Sequence, residues 1–128
     1  MPKIFTSDKQ KIGEIGENKA IEFLMKQNFK ILDRNYTKKW GEIDIVAEKD
    51  NKIYFIEVKS VSHETYSGYR PEDNMHPWKQ KRLSRTIQTY LLSKPIHEEK
   101  EWQVDLLVVY LNLKDNQSRV EVVSDIIL

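Results

Sequence analysis

Two stretches of the chain carry apolar residues at helical spacing. The first covers residues 7–27, where Ser7 and Gln10 have the form of a capping box and predict the start of a helix. Its predicted inward stripe consists of Gly13, Glu17, Ala20, Ile21 and Leu24. The second stretch covers residues 77–92 and begins at Pro77, a residue favoured at the first position of a helix.

Five further stretches have the composition and periodicity of β strands. Three follow the first helix (29–36, 41–49 and 52–60), and two follow the second helix (102–111 and 120–127). The fourth strand is apolar on both faces, which is typical of a central strand that is covered on both sides. This order predicts an α/β sandwich, in which three antiparallel strands and a crossover helix build one mixed sheet.

The whole chain, residues 1–128, is predicted to form a single domain. It contains only four glycines and four prolines, and it shows no repeat and no linker. Residues 1–6 are expected to be a loose N-terminal tail. Residues 61–76 are polar and are expected to form a long mobile loop, and a loop of that length in a compact domain is often functional.

Composition and charge exclude several classes of site. The chain has no cysteine, so disulfides and thiolate metal sites are excluded. No apolar run approaches the ~18 residues of a membrane span, and the N-terminal residues lack a signal-peptide pattern, so we expect a cytoplasmic protein. Lys and Arg total 21 against 20 Asp and Glu, so any binding to phosphate must depend on a local basic patch.

The second and third predicted strands carry charged residues at matching positions. If residues 50–51 form the turn of a hairpin, Asp44 lies opposite Glu57, and Glu42 lies opposite Lys59 on the same face. The other face of this hairpin carries Ile43, Ile45, Ala47, Tyr54, Ile56 and Val58. The charged face therefore places two carboxylates side by side, with Cβ atoms about 5 Å apart.

Two like charges in this arrangement are destabilising unless a cation lies between them. Mg²⁺ and Mn²⁺ prefer carboxylate oxygens, and Lys59 could orient a metal-bound water or neutralise a phosphate. Glu17 interrupts an apolar helix stripe and could reach the same cation through a water. The alternatives stay open: Glu57 and Lys59 could belong to a solvated strand face, and Glu17 could reach solvent or pair with a lysine.

Five sequence blocks resemble the YraN-like family of bacterial proteins. The blocks are GEIGENKAIEFLMKQNFKILDRNY, GEIDIVA, IYFIEVK, HPWKQKRLSRTIQTYL and WQVDLLVV, and they cover most of the chain from Gly13 to Val109. That family is grouped with the restriction-endonuclease-like, or PD-(D/E)xK, nucleases and is similar to archaeal Holliday-junction resolvases. The resemblance implies a restriction-endonuclease-like sandwich with the element order predicted above.

The resemblance also implies roles for individual residues. Asp44 and Glu57 match the metal-binding carboxylates, Lys59 matches the catalytic lysine, and the backbone carbonyl of Val58 matches a further metal ligand. Glu17 matches an acidic residue of the first helix, which the resolvases share in position. The residue before the aspartate is isoleucine here, where the superfamily name has proline.

Basic and aromatic residues outside the hairpin are candidates for contacts with nucleic acid. Lys79 lies on the inward stripe of the second helix and is expected to point toward the metal site, whereas Arg82 and Arg85 are expected to face outward along a nucleic-acid backbone. Tyr69 and Arg70 in the long loop could close over a substrate. An ordinary solvated basic face is the alternative for the helix.

Three other residues have structural interpretations. Trp40 and Trp78 are interpreted as packing anchors at the rim of the site, and Asp105, in an otherwise apolar strand, is expected to form a structural hydrogen bond.

These observations favour a Mg²⁺- or Mn²⁺-dependent endonuclease that hydrolyses the phosphodiester bonds of DNA, with branched or damaged DNA as a candidate substrate. One alternative is a non-catalytic nuclease-fold module that binds nucleic acid or a protein partner. Another is a metal-dependent hydrolase of a smaller phosphate ester. A homodimer is left open, since an exposed last strand could pair with a second copy.

Overall fold

The computed structural model describes residues 8–62, 76–94, 99–112, 114–115 and 117–128. Its elements are α1 (Asp8–Lys26), β1 (Lys30–Lys38), β2 (Gly41–Lys49), β3 (Lys52–Ser62), α2 (Pro77–Ser93), β4 (Glu101–Asn112) and β5 (Gln117–Val123). The predicted cap at Ser7, the tail 1–6, and Tyr69 and Arg70 lie outside the described residues.

The five strands form one mixed sheet in the order β1-β2-β3-β4-β5. Neighbouring strands are antiparallel except β3 and β4, which are parallel because the chain returns through α2 before it enters β4. This arrangement confirms the predicted α/β fold class. None of the helices in the described ranges is long and apolar enough to cross a membrane.

The predicted boundaries of three strands were wrong. Strand β1 covers Lys30–Lys38, so it extends beyond the predicted residue 36 into the expected turn. Strand β3 continues to Ser62, so Val61 and Ser62 are buried strand residues that pair with β4 and do not belong to the loop. Strand β5 covers Gln117–Val123 and ends before the predicted residue 127. The end of the sheet is set by pairing, since the strand finishes where Leu106 pairs with Val123.

The two helices cover opposite faces of the sheet. Under α1 lies a cluster of Ala20, Leu24, Ile45, Ala47, Ile56, Leu107, Val109 and Leu111. Under α2 lies a cluster of Ile43, Val46, Ile53, Phe55, Leu83, Ile87, Tyr90 and Val104. Strict alternation predicted Ile43 on the face with Ile45, but it packs in the α2 cluster, next to its β1 neighbour Tyr36. Asn35 has a positive φ of 56° beside this pair, so regular strand geometry is interrupted there.

The inward stripe of α1 was predicted correctly at Ala20 and Leu24, but towards the N-terminus it passes through Gly16 instead of Gly13 and Glu17. Gly16, Ala20 and Leu24 are buried, at spacings of four residues, whereas a Cβ atom added to Gly13 would meet nothing within 4 Å. Glu17 lies beside the buried stripe and is only partly buried. The carboxylate therefore reaches the edge of the helix–sheet interface without entering its apolar centre.

Asp105 has the structural role that the sequence predicts. It is 6% exposed, and its Oδ1 accepts hydrogen bonds from Gln103 Nε2 at 2.7 Å and from the backbone N–H of Asp125 at 3.0 Å. Next to it, the Ile126 N–H donates to the Val104 carbonyl at 2.7 Å. The carboxylate thus holds the segment after β5 against the central strand β4.

Candidate active site

The β2–β3 hairpin is regular at its turn and opens at the other end. Asp50 and Asn51 both have positive φ (51° and 64°), as the predicted turn requires, and the ladder has the predicted register up to the pair Ile45–Ile56. Asp44 lies immediately beyond that pair. Its Oδ2 accepts a hydrogen bond of 2.8 Å from the backbone N–H of Val58. A carboxylate therefore occupies the position where the next ladder bond would form.

The opening exposes one wall of a cleft between the sheet and α2. Its volume is about 710 Å³, and its lining consists of Gly41, Glu42, Asp44, Glu57, Lys59, His76, Trp78, Lys79, Arg82 and Leu83. Three of the four residues that the resemblance assigns to catalysis (Asp44, Glu57 and Lys59) thus share this cleft. The fourth, Glu17, lies on α1 and lines a different cleft.

Asp44 is in an environment that disfavours its charged form. Its pKa is raised from the ordinary 3.8 to about 8, first by burial and next by the negative charge of Glu57. The hydrogen bond from Val58 acts in the opposite direction, while the charges of Glu17 and Glu42 raise the pKa slightly further. Such a concentration of negative charge is relieved either by a proton on Asp44 or by a bound cation.

Lys79 reaches the site, as its place on the helix stripe predicts. Its Nζ lies 2.9 Å from Glu57 Oε1, and the two side chains are 31% and 13% exposed. Lys59 also lines the cleft, so one lysine comes from the strand and one from the helix. The paired ammonium group neutralises Glu57, whereas Asp44 has a backbone N–H as its described partner.

Arg82 and Arg85 are exposed on α2, as the sequence predicts. Arg82 lines the cleft, and its Nε donates a 3.1 Å hydrogen bond to the backbone carbonyl of Trp40. Arg85 lies with its guanidinium carbon 4.4 Å from the centroid of the Trp40 ring. Trp40 is thus the anchor that the sequence predicts, but Trp78 is not, because 60% of its side chain is exposed at the rim of the cleft.

Glu17 lies outside this cleft and acts on Asp44 through its charge. Its Oε1 lies 3.5 Å from the Nε of Arg34, which also donates a 2.7 Å hydrogen bond to the side-chain oxygen of Asn18. Its negative charge nevertheless raises the pKa of Asp44. The predicted contact of Glu17 with a cation through a water stays a prediction. Arg34 was missed in the sequence, because a single arginine in a strand carries no pattern that would single it out.

Two glycines, also missed in the sequence, bring the helices onto the strands of the site. A Cβ atom on Gly16 would lie 1.7 Å from Ser60 Oγ, and a Cβ atom on Gly41 would lie 2.4 Å from Thr86 Oγ1. Gly16 thus sets the approach of α1 to β3 next to Lys59, and Gly41 sets the approach of α2 to the start of β2. Both belong to the blocks GEIGEN and GEID, which is the only signal that could have found them.

Comparison with known proteins identifies the family. The model of the uncharacterised protein family UPF0102 matches residues 16–124. The chain belongs to the UPF0102 family. A UPF0102 protein of Campylobacter jejuni is 40% identical over 97 residues, which cover 76% of this chain and 81% of the relative. A UPF0102 protein of Caldicellulosiruptor saccharolyticus is 36% identical over 108 residues, which cover 84% of this chain and 89% of the relative. These matches confirm the resemblance to the YraN-like family.

The carboxylates of the cleft are the side chains of this UPF0102 protein that could hold a metal ion. Among the residues that the structure describes, no three His, Asp or Glu side chains group as a metal site. Glu42, Asp44 and Glu57 all line one cleft, and of the other two carboxylates Glu57 repels the charge of Asp44 more strongly. Carboxylate oxygens are the ligands that Mg²⁺ and Mn²⁺ prefer, and Mg²⁺ usually keeps several waters, so a site for it needs few protein ligands.

Proposed function

We propose that this UPF0102 protein is a metal-dependent endonuclease that hydrolyses phosphodiester bonds of DNA. The observation that carries the proposal is the carboxylate pair Asp44 and Glu57 in one cleft with Lys59 and Lys79. The raised pKa of Asp44 supports it, because a buried carboxyl beside another carboxylate is costly and is expected to have a chemical role.

Asp44 and Glu57 would hold the Mg²⁺ or Mn²⁺ ion, together with the backbone carbonyl of Val58. When bound, such an ion stabilises negative charge on a phosphoryl oxygen and lowers the pKa of a coordinated water. The hydrogen bond from the Val58 N–H orients the Asp44 carboxylate toward the cleft before any ligand arrives. The site is therefore preorganised at the residue whose ionisation is most costly.

The basic residues of the cleft would bind the substrate phosphate and neutralise its charge. Lys59 would accept a proton from the attacking water or neutralise charge on the scissile phosphate. Lys79 is held 2.9 Å from Glu57, and it would turn to the phosphate once Glu57 has another positive partner. Arg82 is fixed by the Trp40 carbonyl and would bind the backbone next to the scissile phosphate.

A second candidate function is a module that binds nucleic acid or a protein partner without turnover. The ion pair of Lys79 with Glu57 favours it, because a lysine then neutralises one of the two carboxylates without a metal. Asp44 and Lys59 line the same cleft, and their presence together favours the catalytic function over the binding module. Metal binding separates the two, since an adaptor has no need of a cation.

The test is cleavage of a labelled DNA panel with Mn²⁺ or Mg²⁺, run with wild type and with Asp44→Asn. The panel contains a single strand, a duplex, a flap and a four-way junction, and nucleotides serve as competitors. We expect wild type to cut at least one DNA and Asp44→Asn to lose at least about a hundredfold in rate, because the metal contributes several kcal/mol to the transition state.

Binding of DNA by Asp44→Asn should survive, since the substitution leaves Lys59, Lys79 and Arg82 in place. Mn²⁺ binding measured by calorimetry is the second readout. Absence of both cleavage and Mn²⁺ binding in the wild-type protein would support the adaptor function. Efficient inhibition by free nucleotides would instead favour a smaller phosphate-ester substrate.

A further inference from the structure

Trp78 is an exposed aromatic residue at the rim of the cleft that contains Asp44 and Glu57. Its side chain is 60% exposed, although it lies in the first turn of α2 and lines the cleft with both carboxylates. Aromatic side chains of this size normally gain stability by burial. Its packing in the fold therefore leaves most of the indole available to a ligand.

The indole is supported by a rigid element and lies beside a cation. The guanidinium carbon of Arg82 is 5.7 Å from the centroid of the Trp78 ring, and Arg82 is itself fixed by its hydrogen bond to the Trp40 carbonyl. One to two turns further along α2, Leu83 and Thr86 are buried. The ring thus keeps a defined position relative to the cleft.

The charges around Trp78 indicate what kind of ligand approaches it. Lys59, Lys79 and Arg82 line the same cleft and would attract a polyanion toward the carboxylates. A nucleic-acid strand that brings a phosphate to these groups also brings bases within reach of the rim. Any base can stack on an aromatic ring, because every base has a π face.

We propose that Trp78 is a stacking platform for an unpaired nucleobase next to the phosphate in the cleft. The proposal rests on the nuclease function proposed above and specifies its substrate class. In an intact duplex both faces of each base are covered by neighbouring base pairs, so an indole finds a free face only at an end, a gap or a single-stranded branch. The preferred substrate is therefore DNA with unpaired bases at the cut site.

Equilibrium binding of two labelled DNAs tests this proposal. One is a single strand and the other is a covalently closed circular duplex of equal phosphate number, which has neither an end nor a loop, and each is measured by anisotropy in EDTA and again with Ca²⁺. We expect Trp78→Ala to weaken binding of the single strand about tenfold, the effect of losing one base stack. Trp78→Phe should retain most of the affinity, and binding of the duplex should not change.

The matched control is Trp102→Phe. Trp102 is also exposed (43%), but it pairs with Ile53 near the turn of the hairpin, at the opposite end of β3 from the cleft. This substitution should leave both affinities unchanged. Quenching of tryptophan fluorescence by the single strand should disappear in Trp78→Ala and persist in Trp102→Phe.

Each outcome decides between the two proposals. If Trp78→Ala binds the single strand as tightly as wild type, or loses both DNAs equally, the stacking role is overturned while the nuclease function stands. If Trp78→Ala weakened binding of the duplex alone, the indole would act as a wedge between paired bases. That result would also overturn the stacking role. If wild type binds neither DNA in either buffer, the proposed nuclease function and the stacking role both fail.

Discussion

The two ends of the β2–β3 hairpin differ in almost every respect. Near the turn the strands pair without interruption, and the side chains of Val46, Ile53 and Phe55 are completely buried between the sheet and α2. At the other end the ladder stops, Asp44 accepts a hydrogen bond from the backbone N–H of Val58, and both strands line an open cleft. The same hairpin therefore provides a core at one end and a reactive site at the other.

This difference shows how the protein supports a costly group. Two neighbouring carboxylates cannot be tolerated within an apolar core, but they can lie at its edge, where one N–H, one lysine and solvent reach them. The closed end supplies the stability that the open end lacks. Substitutions at the closed end should therefore change the free energy of unfolding, and substitutions at the open end should change chemistry and pH dependence.

The largest effect on stability is expected from Phe55→Ala at the closed end. Phe55 is fully buried, and its ring packs edge-on against the rings of Tyr90 and Trp102, with centroid distances of 5.7 and 5.6 Å. Urea denaturation should show a loss of about 3–5 kcal/mol. Glu42→Gln, at an exposed position of the open end, should change stability by less than about 0.5 kcal/mol. Equal effects would remove the contrast between the two ends.

The next effect is the dependence of stability on pH through Asp44. Its pKa is raised from 3.8 to about 8 in the folded protein, so the folded state holds a proton that the unfolded state releases between these values. Without divalent metal, stability should therefore fall as pH rises from about 4 to about 8. Asp44→Asn should remove this fall and stabilise the protein at pH 8, on the order of 3 kcal/mol.

Urea midpoints at pH 5 and pH 8, measured in EDTA, check this prediction. Glu101→Gln at an exposed strand position is the control and should keep the pH dependence of wild type. A fall in stability of the same size in Asp44→Asn would assign the pH dependence to other groups. Added Mn²⁺ should stabilise wild type more at pH 8 than at pH 5, because the cation competes with the proton on Asp44.

A smaller loss of stability is expected from a substitution at the contact between α1 and β3, near the open end of the hairpin. Gly16→Ala places a Cβ atom 1.7 Å from Ser60 Oγ and 2.7 Å from Ser60 Cβ, so the helix must move away from the strand. The expected loss is about 1–3 kcal/mol by thermal unfolding, with lower DNA cleavage because Lys59 directly precedes Ser60 in β3. The double variant Gly16→Ala, Ser60→Gly should recover stability.

Gly13→Ala is the matched control on the same helix. An added Cβ atom there meets nothing within 4 Å, so alanine should stabilise the protein by up to about 1 kcal/mol through its helix propensity. If both variants had the same effect, the close approach at Gly16 would have no energetic consequence.

The smallest effect concerns the ion pair in the cleft. Lys79→Gln removes the ammonium group that lies 2.9 Å from Glu57 Oε1, so Mn²⁺ should bind roughly two- to fivefold more tightly, the range of a partly exposed ion pair. Calorimetry measures this directly. Lys81→Gln, at an exposed position on the same helix, should leave the affinity unchanged. Weaker Mn²⁺ binding in Lys79→Gln would contradict competition between lysine and metal.

Local patterns were sufficient for most of the fold. Alternation, turn residues and the position of Pro77 predicted the two helices and the order of five strands. The register of the hairpin from its turn to the pair Ile45–Ile56 also followed from the chain alone, because Asp50 and Asn51 form a two-residue turn, but the predicted pairs Asp44–Glu57 and Glu42–Lys59 are not part of the ladder. The boundaries of β3 and β5 could not be predicted, since a strand ends where its neighbour stops pairing with it.

The sequence by itself determined which residues carry candidate chemistry, because residue type and spacing along two strands place Asp44, Glu57 and Lys59 on one face. Tertiary structure decided how that face is used. The opening of the ladder at Val58 and the reach of Lys79 to Glu57 both depend on how α2 lies against the sheet. These contacts join residues distant in the chain, and their geometry depends on side-chain packing, which no periodicity encodes.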